Sequence, residues 1–341
     1  MIRLAWRQFR SEVSVGIGAL VVVAVVLAIT GPHLMDVYRS SPSQVTSTDS
    51  GLQAALMDLV LVAPALVGIF FGAPLIAREL ETGTFRLAWT QGVTRARWLS
   101  VKLALVGLSS SVLAGGLSLL VAWWANPIDI VNQNRFSPAL FGMFGIVPFG
   151  YALFAFALGA TTGVLFRRTL PAMATTVAVF VGVRLAVTYW VRPHFQSPVT
   201  KTLKLGTNAF GGFVMTPSGV QVTAPNLTVP NGWVLSTSIV DKAGNPPTSA
   251  FLRNACPGVA TPPQGRSSVG NLSGGSTHAV PVHIQQMQHC ISEITAKFHG
   301  VATYQPASRY WPFQIYETAL FVVLALALAG VSYWWLRRRL T

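Results

Sequence analysis

Charge is scarce in this chain. Only ten of its 341 residues are acidic, and charged residues of both signs make up 10%, against about a quarter in an ordinary soluble domain. With a mean hydropathy of +0.52, it has too little polar surface to cover a water-soluble particle of its length. Catalytic signatures are lacking as well. No G-x-x-x-x-G-K-[ST] loop occurs, which excludes ATP binding of the Walker type, and neither H-E-x-x-H nor G-x-S-x-G is present. So few acids leave Glu79 and Glu81 as the closest pair, and they sit among arginines. The chain is therefore read as a non-enzyme. Its six histidines lie outside the apolar runs and are not spaced as ligands on one helical face, so no metal site is expected.

What the chain does have is apolar runs. Six are long enough to cross a bilayer at roughly 20 residues each: 13–30, 52–77, 103–125, 140–166, 170–191 and 313–336. Six spans put both termini on one side. On that side fall Arg3, Arg7, Arg10, Arg78, Arg86, Arg95, Arg97, Lys102, Arg167, Arg168, Arg337, Arg338 and Arg339, whereas the two short loops opposite hold only Arg39 and Arg135. The positive-inside rule makes the first side cytoplasmic. The net charge of +14 is thus topology plus attraction to anionic membrane lipid, and no nucleic-acid partner is expected. Residues 1–12 read as an interfacial amphipathic helix, with Ile2, Ala5, Trp6 and Phe9 on one face and the three arginines on another. No A-x-A-like site follows to suggest a cleaved leader.

The expected fold is an α-helical polytopic membrane protein. It has six transmembrane helices, the N-terminal interfacial helix, and a mixed α/β external domain at 192–311, between spans five and six. Spans one to five occupy 13–191, with a cytoplasmic loop at 78–102, and residues 312–341 form span six and a cytoplasmic tail. The external region is rich in Gly, Pro, Ser, Thr and Asn, which reads as short strands joined by turns. Ile284, Met287, Ile291, Ile294 and Phe298 recur at helical spacing, and Gly300 is the expected stop. Both cysteines, Cys256 and Cys290, fall in this region. Outside a cell membrane they read as a disulfide, worth roughly 3 kcal/mol for a loop of some 30 residues, rather than as two free thiols.

Three charges sit at membrane depth, where an ionisable group is a functional suspect. Asp58, Arg184 and Glu317 fall at similar depth toward the outer side. The expectation is a polar cluster with Arg184 paired to Asp58 or Glu317, either lining an outward path or acting as a structural ion pair with snorkelling side chains.

The densest charged stretch is "GAPLIARELETGTFRLAWTQGVTRARWLSVK", from Gly72 to Lys102. Gly83 suits the end of span two, Thr84 a cap for a short helix ending at Gly92, and Thr94 a cap for the helix entering span three. Phe85, Leu87, Ala88 and Trp89 would form an apolar knob ringed by Arg86, Arg95 and Arg97. Such a knob is suited to docking a soluble partner or to lying on the lipid surface.

The run Arg78-Glu79-x-Glu81-x-Gly83-Thr84, followed by Thr94-Arg95 and Lys102, resembles the first cytoplasmic loop of ABC transporter permeases of the ABC-2 exporter type. "TGPHL" and "TYQPASRYWPFQIYETALF" are similar to pieces that recur in the permeases common in actinobacteria. The resemblance implies two permease chains, as a homodimer, with two separate ABC ATPase subunits docked below. Those subunits would carry ATP and Mg, and this chain no cofactor. The segment Gly83 to Gly92 would be the coupling helix, with Glu79, Glu81, Arg86 and Arg95 as rim charges. It implies outward movement of a hydrophobic or amphipathic substrate, drug-like or lipid-like. The other reading is an extracytoplasmic sensing or cell-envelope assembly protein coupled to an ATPase without translocation.

Overall fold

The computed structural model describes residues 2–83, 94–206, 213–216, 219–223, 225–256 and 284–339. The chain divides into two compact units, residues 1–195 with 308–341, and residues 196–307.

The first unit is helical, and its described residues contain six helices long and apolar enough to span a membrane. Span one is one helix, Ile2–Ser40. No break separates an interfacial helix from the span, because no glycine or proline interrupts residues 2–15. At the other end the helix continues past Thr30 and accommodates Pro32. Span two runs Ser50–Leu66, widens through a π-helical turn at Val67–Gly72, and continues as Ala73–Thr82. Span three is Arg95–Trp124, capped by Thr94, whose hydroxyl accepts from the Arg97 amide at 3.4 Å. A short helix, Asn126–Asn132, and another, Pro138–Phe141, precede span four, Val147–Phe166. Span four thus begins well after Leu140, because Gly145, at φ +81, breaks the backbone between the short helix ending at Phe141 and the span. Span five is Thr169–Ala186, extended by a π-helical turn at Val187–Val191 and a 3-10 turn at Arg192–His194. Span six is Tyr310–Arg339.

Span four is the core of this unit. Of its apolar window 78% is buried, against 6% for span one. It packs against span two almost backbone to backbone. A Cβ on Gly159 would lie 2.4 Å from the Gly68 carbonyl oxygen, and one on Gly72 would lie 2.5 Å from that of Phe156. Gly68 and Gly72 face Gly159 and Gly163, so two G-x-x-x-G pairs let the helices approach where lipid supplies no hydrophobic drive.

The second unit is mixed α/β. Strands β1 (Val199–Leu203), β2 (Phe213–Thr216), β3 (Gly219–Val222), β4 (Trp233–Val240) and β5 (His299–Gln305) form two antiparallel sheets, one of order β1-β5-β4 and one a β2-β3 hairpin. Among the described residues, helices Ser249–Ala255 and Ile284–Lys297 accompany the sheets. Its core gathers Leu205, Leu227, Ile239, Leu252, Ile294 and Ala302 around the disulfide Cys256–Cys290. Their Cα atoms are 4.8 Å apart across a sequence separation of 34, and closing a loop of that length is worth about 4 kcal/mol on the chain-entropy account. The second helix ends at Lys297, ahead of Gly300, which lies inside β5 opposite Leu203 and Ile239. Gly300 is there for space rather than as a stop: a Cβ would meet the Leu227 side chain at 2.5 Å.

Candidate functional site

The polar side chains of the membrane unit converge on residues 137–147, the irregular stretch before span four. In hydrocarbon, backbone groups outside a helix must find partners within the protein. Here they find side chains. Ser118, on span three, donates to the Met143 carbonyl at 2.8 Å. Gln314, on span six, does the most. Its amide nitrogen donates to the carbonyls of Phe141 and Phe144, both at 3.0 Å. Its oxygen accepts from the amides of Ile146 at 3.1 Å and Val147 at 3.2 Å. Arg192 donates to the Pro138 carbonyl at 3.2 Å, and Arg184 reaches that of Gly142 at 3.5 Å.

Gln314 is fully buried, so its loss would strand several backbone groups at once. Gln314→Leu should lower stability by about 3 kcal/mol or more, since each buried unsatisfied group costs about 1–3 kcal/mol. Thermal unfolding in mild detergent reads this as a lowered midpoint.

Glu317 lies one turn further along span six. Arg192 grips its carboxylate with two nitrogens, Nε to Oε2 at 2.6 Å and Nη2 to Oε1 at 2.8 Å. The Tyr151 hydroxyl of span four donates to the same Oε1. Arg192 also donates to Thr188 Oγ1 at 3.3 Å and lies over the Phe141 ring at 4.4 Å. Both charged side chains are no more than 1% exposed. Spans four, five and six thus meet in a buried, bidentate ion pair, the strong geometry for Arg and carboxylate.

The expected partners were others. Arg184 pairs with neither Asp58 nor Glu317: it donates to the Leu61 carbonyl of span two at 2.9 Å and stacks over the Tyr151 ring at 4.6 Å. Asp58 is exposed. The physical reason is the length of span five. It stays helical through His194, so Arg192, at the edge of the apolar run, is drawn inside and takes the carboxylate. Outside the spans, burial raises the Asp129 carboxyl to about 6 against the opposing pull of Arg135.

The far end of span two carries the charged loop. Thr82 ends the helix and Gly83 follows at φ +74, the left-handed conformation a glycine cap supplies. Neither acid before it is free. Glu79 is ion-paired with Lys102 of span three, whose ammonium also lies 4.7 Å from the centre of the Trp98 ring. Glu81 Oε2 accepts from the Thr169 hydroxyl at 2.8 Å and its amide at 3.2 Å, at the start of span five. A carboxylate at a helix N-terminus is favoured there by the exposed amides and the helix dipole. Arg78 is exposed. Arg95 opens span three. Thr84, Phe85, Arg86, Leu87 and Trp89 lie outside the described residues. The two glutamates therefore act as struts from span two to spans three and five, a role that residue spacing does not reveal.

Arg192, Gln314 and Tyr151 escaped the sequence reading. One signal was available for Gln314: it precedes Glu317 by three residues, on the same helical face.

A family model described as ABC-2 membrane transporter related matches residues 17–192, just over half of the chain. No curated protein and no solved structure matches it.

Proposed function

This chain belongs to the ABC-2 membrane transporter related family, and from that membership we propose that it is the membrane-spanning permease subunit of an ATP-binding cassette exporter. Two copies form the translocating core. Two separate ATPase subunits dock on the loop between spans two and three and hold the ATP and Mg. Both termini and the 78–102 loop face the cytoplasm, as the arginine distribution favours, and the second unit lies outside, where its disulfide suits an oxidising compartment. The cargo is hydrophobic or amphipathic, drug-like or lipid-like.

The observation that carries this reading is the pair of struts. Residues 84–93 leave span two beside Glu79 and Glu81, and those carboxylates are fastened to spans three and five. A push delivered to the loop would therefore reach three spans together rather than bend one helix end. Docking through Phe85, Leu87 and Trp89 would turn closure of the ATPases into movement of that bundle.

Co-expression with a candidate ABC ATPase tests the reading. The two should co-purify, and ATP hydrolysis should reside in the ATPase and be absent from this chain purified alone. A chain that associates with no ABC ATPase encoded beside it or elsewhere in its genome would contradict it.

A further inference from the structure

Once Arg192 and Glu317 neutralise each other, Arg184 is left with its charge. Among the described residues no carboxylate forms an ion pair with it. Its hydrogen bonds go to two carbonyls, Leu61 and Gly142. Those dipoles and the Tyr151 ring lower the cost of placing a cation there without cancelling the charge. The position is deep. Ten residues separate Arg184 from the end of span five at His194, about 15 Å of helix. A lone guanidinium at that depth costs several kcal/mol, so its presence there points to a use.

The surroundings indicate what would meet it. Arg184 is half-buried, at the seam of spans two and five. Beside it on span five, Val181 is 44% and Leu185 is 52% exposed, and Leu61 across the seam is 37% exposed. The charge therefore sits at the half-buried base of a seam whose outer rim is bare aliphatic side chain. A soluble anion would have to cross that rim unaided, whereas a molecule with acyl chains and an anionic head satisfies both parts. We infer that Arg184 is the headgroup contact of a lateral binding site for an anionic amphiphile, its phosphate or carboxylate on the guanidinium and its chains along Leu61, Val181 and Leu185. This rests on the exporter reading only in taking the amphiphile as cargo, and the site itself can be tested without ATP.

The test uses the full chain carrying Arg337→Gln and Arg338→Gln, which thin the basic tail without touching this seam. It is reconstituted in discs of equal phosphatidylglycerol and phosphatidylcholine, and lipid retained after extraction is counted by native mass spectrometry. Phosphatidylglycerol should be kept over phosphatidylcholine by about tenfold, the scale of one charge-assisted hydrogen bond. Arg184→Gln should abolish the preference and Arg184→Lys should keep part of it. Val181→Glu, which sets a carboxylate one turn away on the exposed face, should displace the lipid while leaving Arg184 in place, and it carries the test if Arg184→Gln fails to fold. Free inorganic phosphate should not compete; competition would mean a small-anion site and overturn the amphiphile. An unchanged preference in Val181→Glu, or in a folded Arg184→Gln protein, would overturn the proposal altogether. If the preference follows Arg184 but no ATPase ever associates with the chain, the exporter reading fails and the site stands.

Discussion

Replacing Glu317 by alanine is expected to destabilise the protein by about 3–5 kcal/mol, the cost of leaving a buried charge without its partner. The argument is geometric. Arg192 spends three donor contacts on this carboxylate and Tyr151, and it sits beside Thr188 and the Phe141 ring with 1% of its side chain exposed. Water cannot replace the carboxylate there. The Pro138 carbonyl that Arg192 also holds would loosen with it, so the damage would spread into the stretch that Gln314 supports. Replacing both charges by residues of similar size, Arg192→Met with Glu317→Leu, should cost less than the sum of the single changes, because the double variant buries no lone ion whereas each single variant does. Reversible unfolding in a mixed-detergent titration gives the cycle. A Glu317→Ala chain as stable as the wild type would show that the pair is solvated and the junction is not a structural pin.

Arg192 is the last charge before the chain leaves span five, and Glu317 sits in the first turns of span six. The pair therefore fastens spans five and six to each other within the membrane unit.

Much of this architecture is legible in the residues. The six apolar runs mark the spans, since hydrocarbon admits little else. Both cysteines and the helical spacing of Ile291 and Ile294 point to the packed, disulfide-bonded helix. The charges that matter at depth are also visible singly, in Arg184 and Glu317. Their partners are not, because a one-dimensional pattern places a charge along a helix but not around the bundle. Arg192 looks like an interfacial cation until two extra turns carry span five beyond it. Residues 140–146 look like membrane helix by hydropathy, yet helix stops at Phe141 and 142–146 are irregular backbone, the stretch being held by side chains from three spans. The two G-x-x-x-G pairs were readable and would have predicted the contact between spans two and four. The resemblance implies Glu79 and Glu81 as rim charges, and only the fold shows that they hold Lys102 and Thr169.

The second large effect concerns the loop itself. Changing Phe85, Leu87 and Trp89 together to aspartate should abolish docking of the ATPase while leaving the membrane unit folded, because the struts that organise spans two, three and five involve Glu79, Glu81, Lys102 and Thr169 instead. Buried aromatic and aliphatic anchors at the centre of an interface each contribute about 2 kcal/mol or more, so three lost at once should weaken association by about a thousandfold or more. Three added negative charges would also offset the arginines that flank this segment in sequence, Arg78, Arg86 and Arg95. Changing the rim alone, as Arg86→Gln, should slow association with a far smaller loss of affinity.

The most direct measurement is ATP hydrolysis by the reconstituted permease–ATPase complex, with subunit association followed in the same sample. The wild-type chain should hold its ATPase and raise its turnover in lipid. The Phe85→Asp, Leu87→Asp, Trp89→Asp chain should unfold at the same temperature as wild type, yet lose both the ATPase and the stimulation. A triple variant that still binds the ATPase and still raises its turnover would contradict the account.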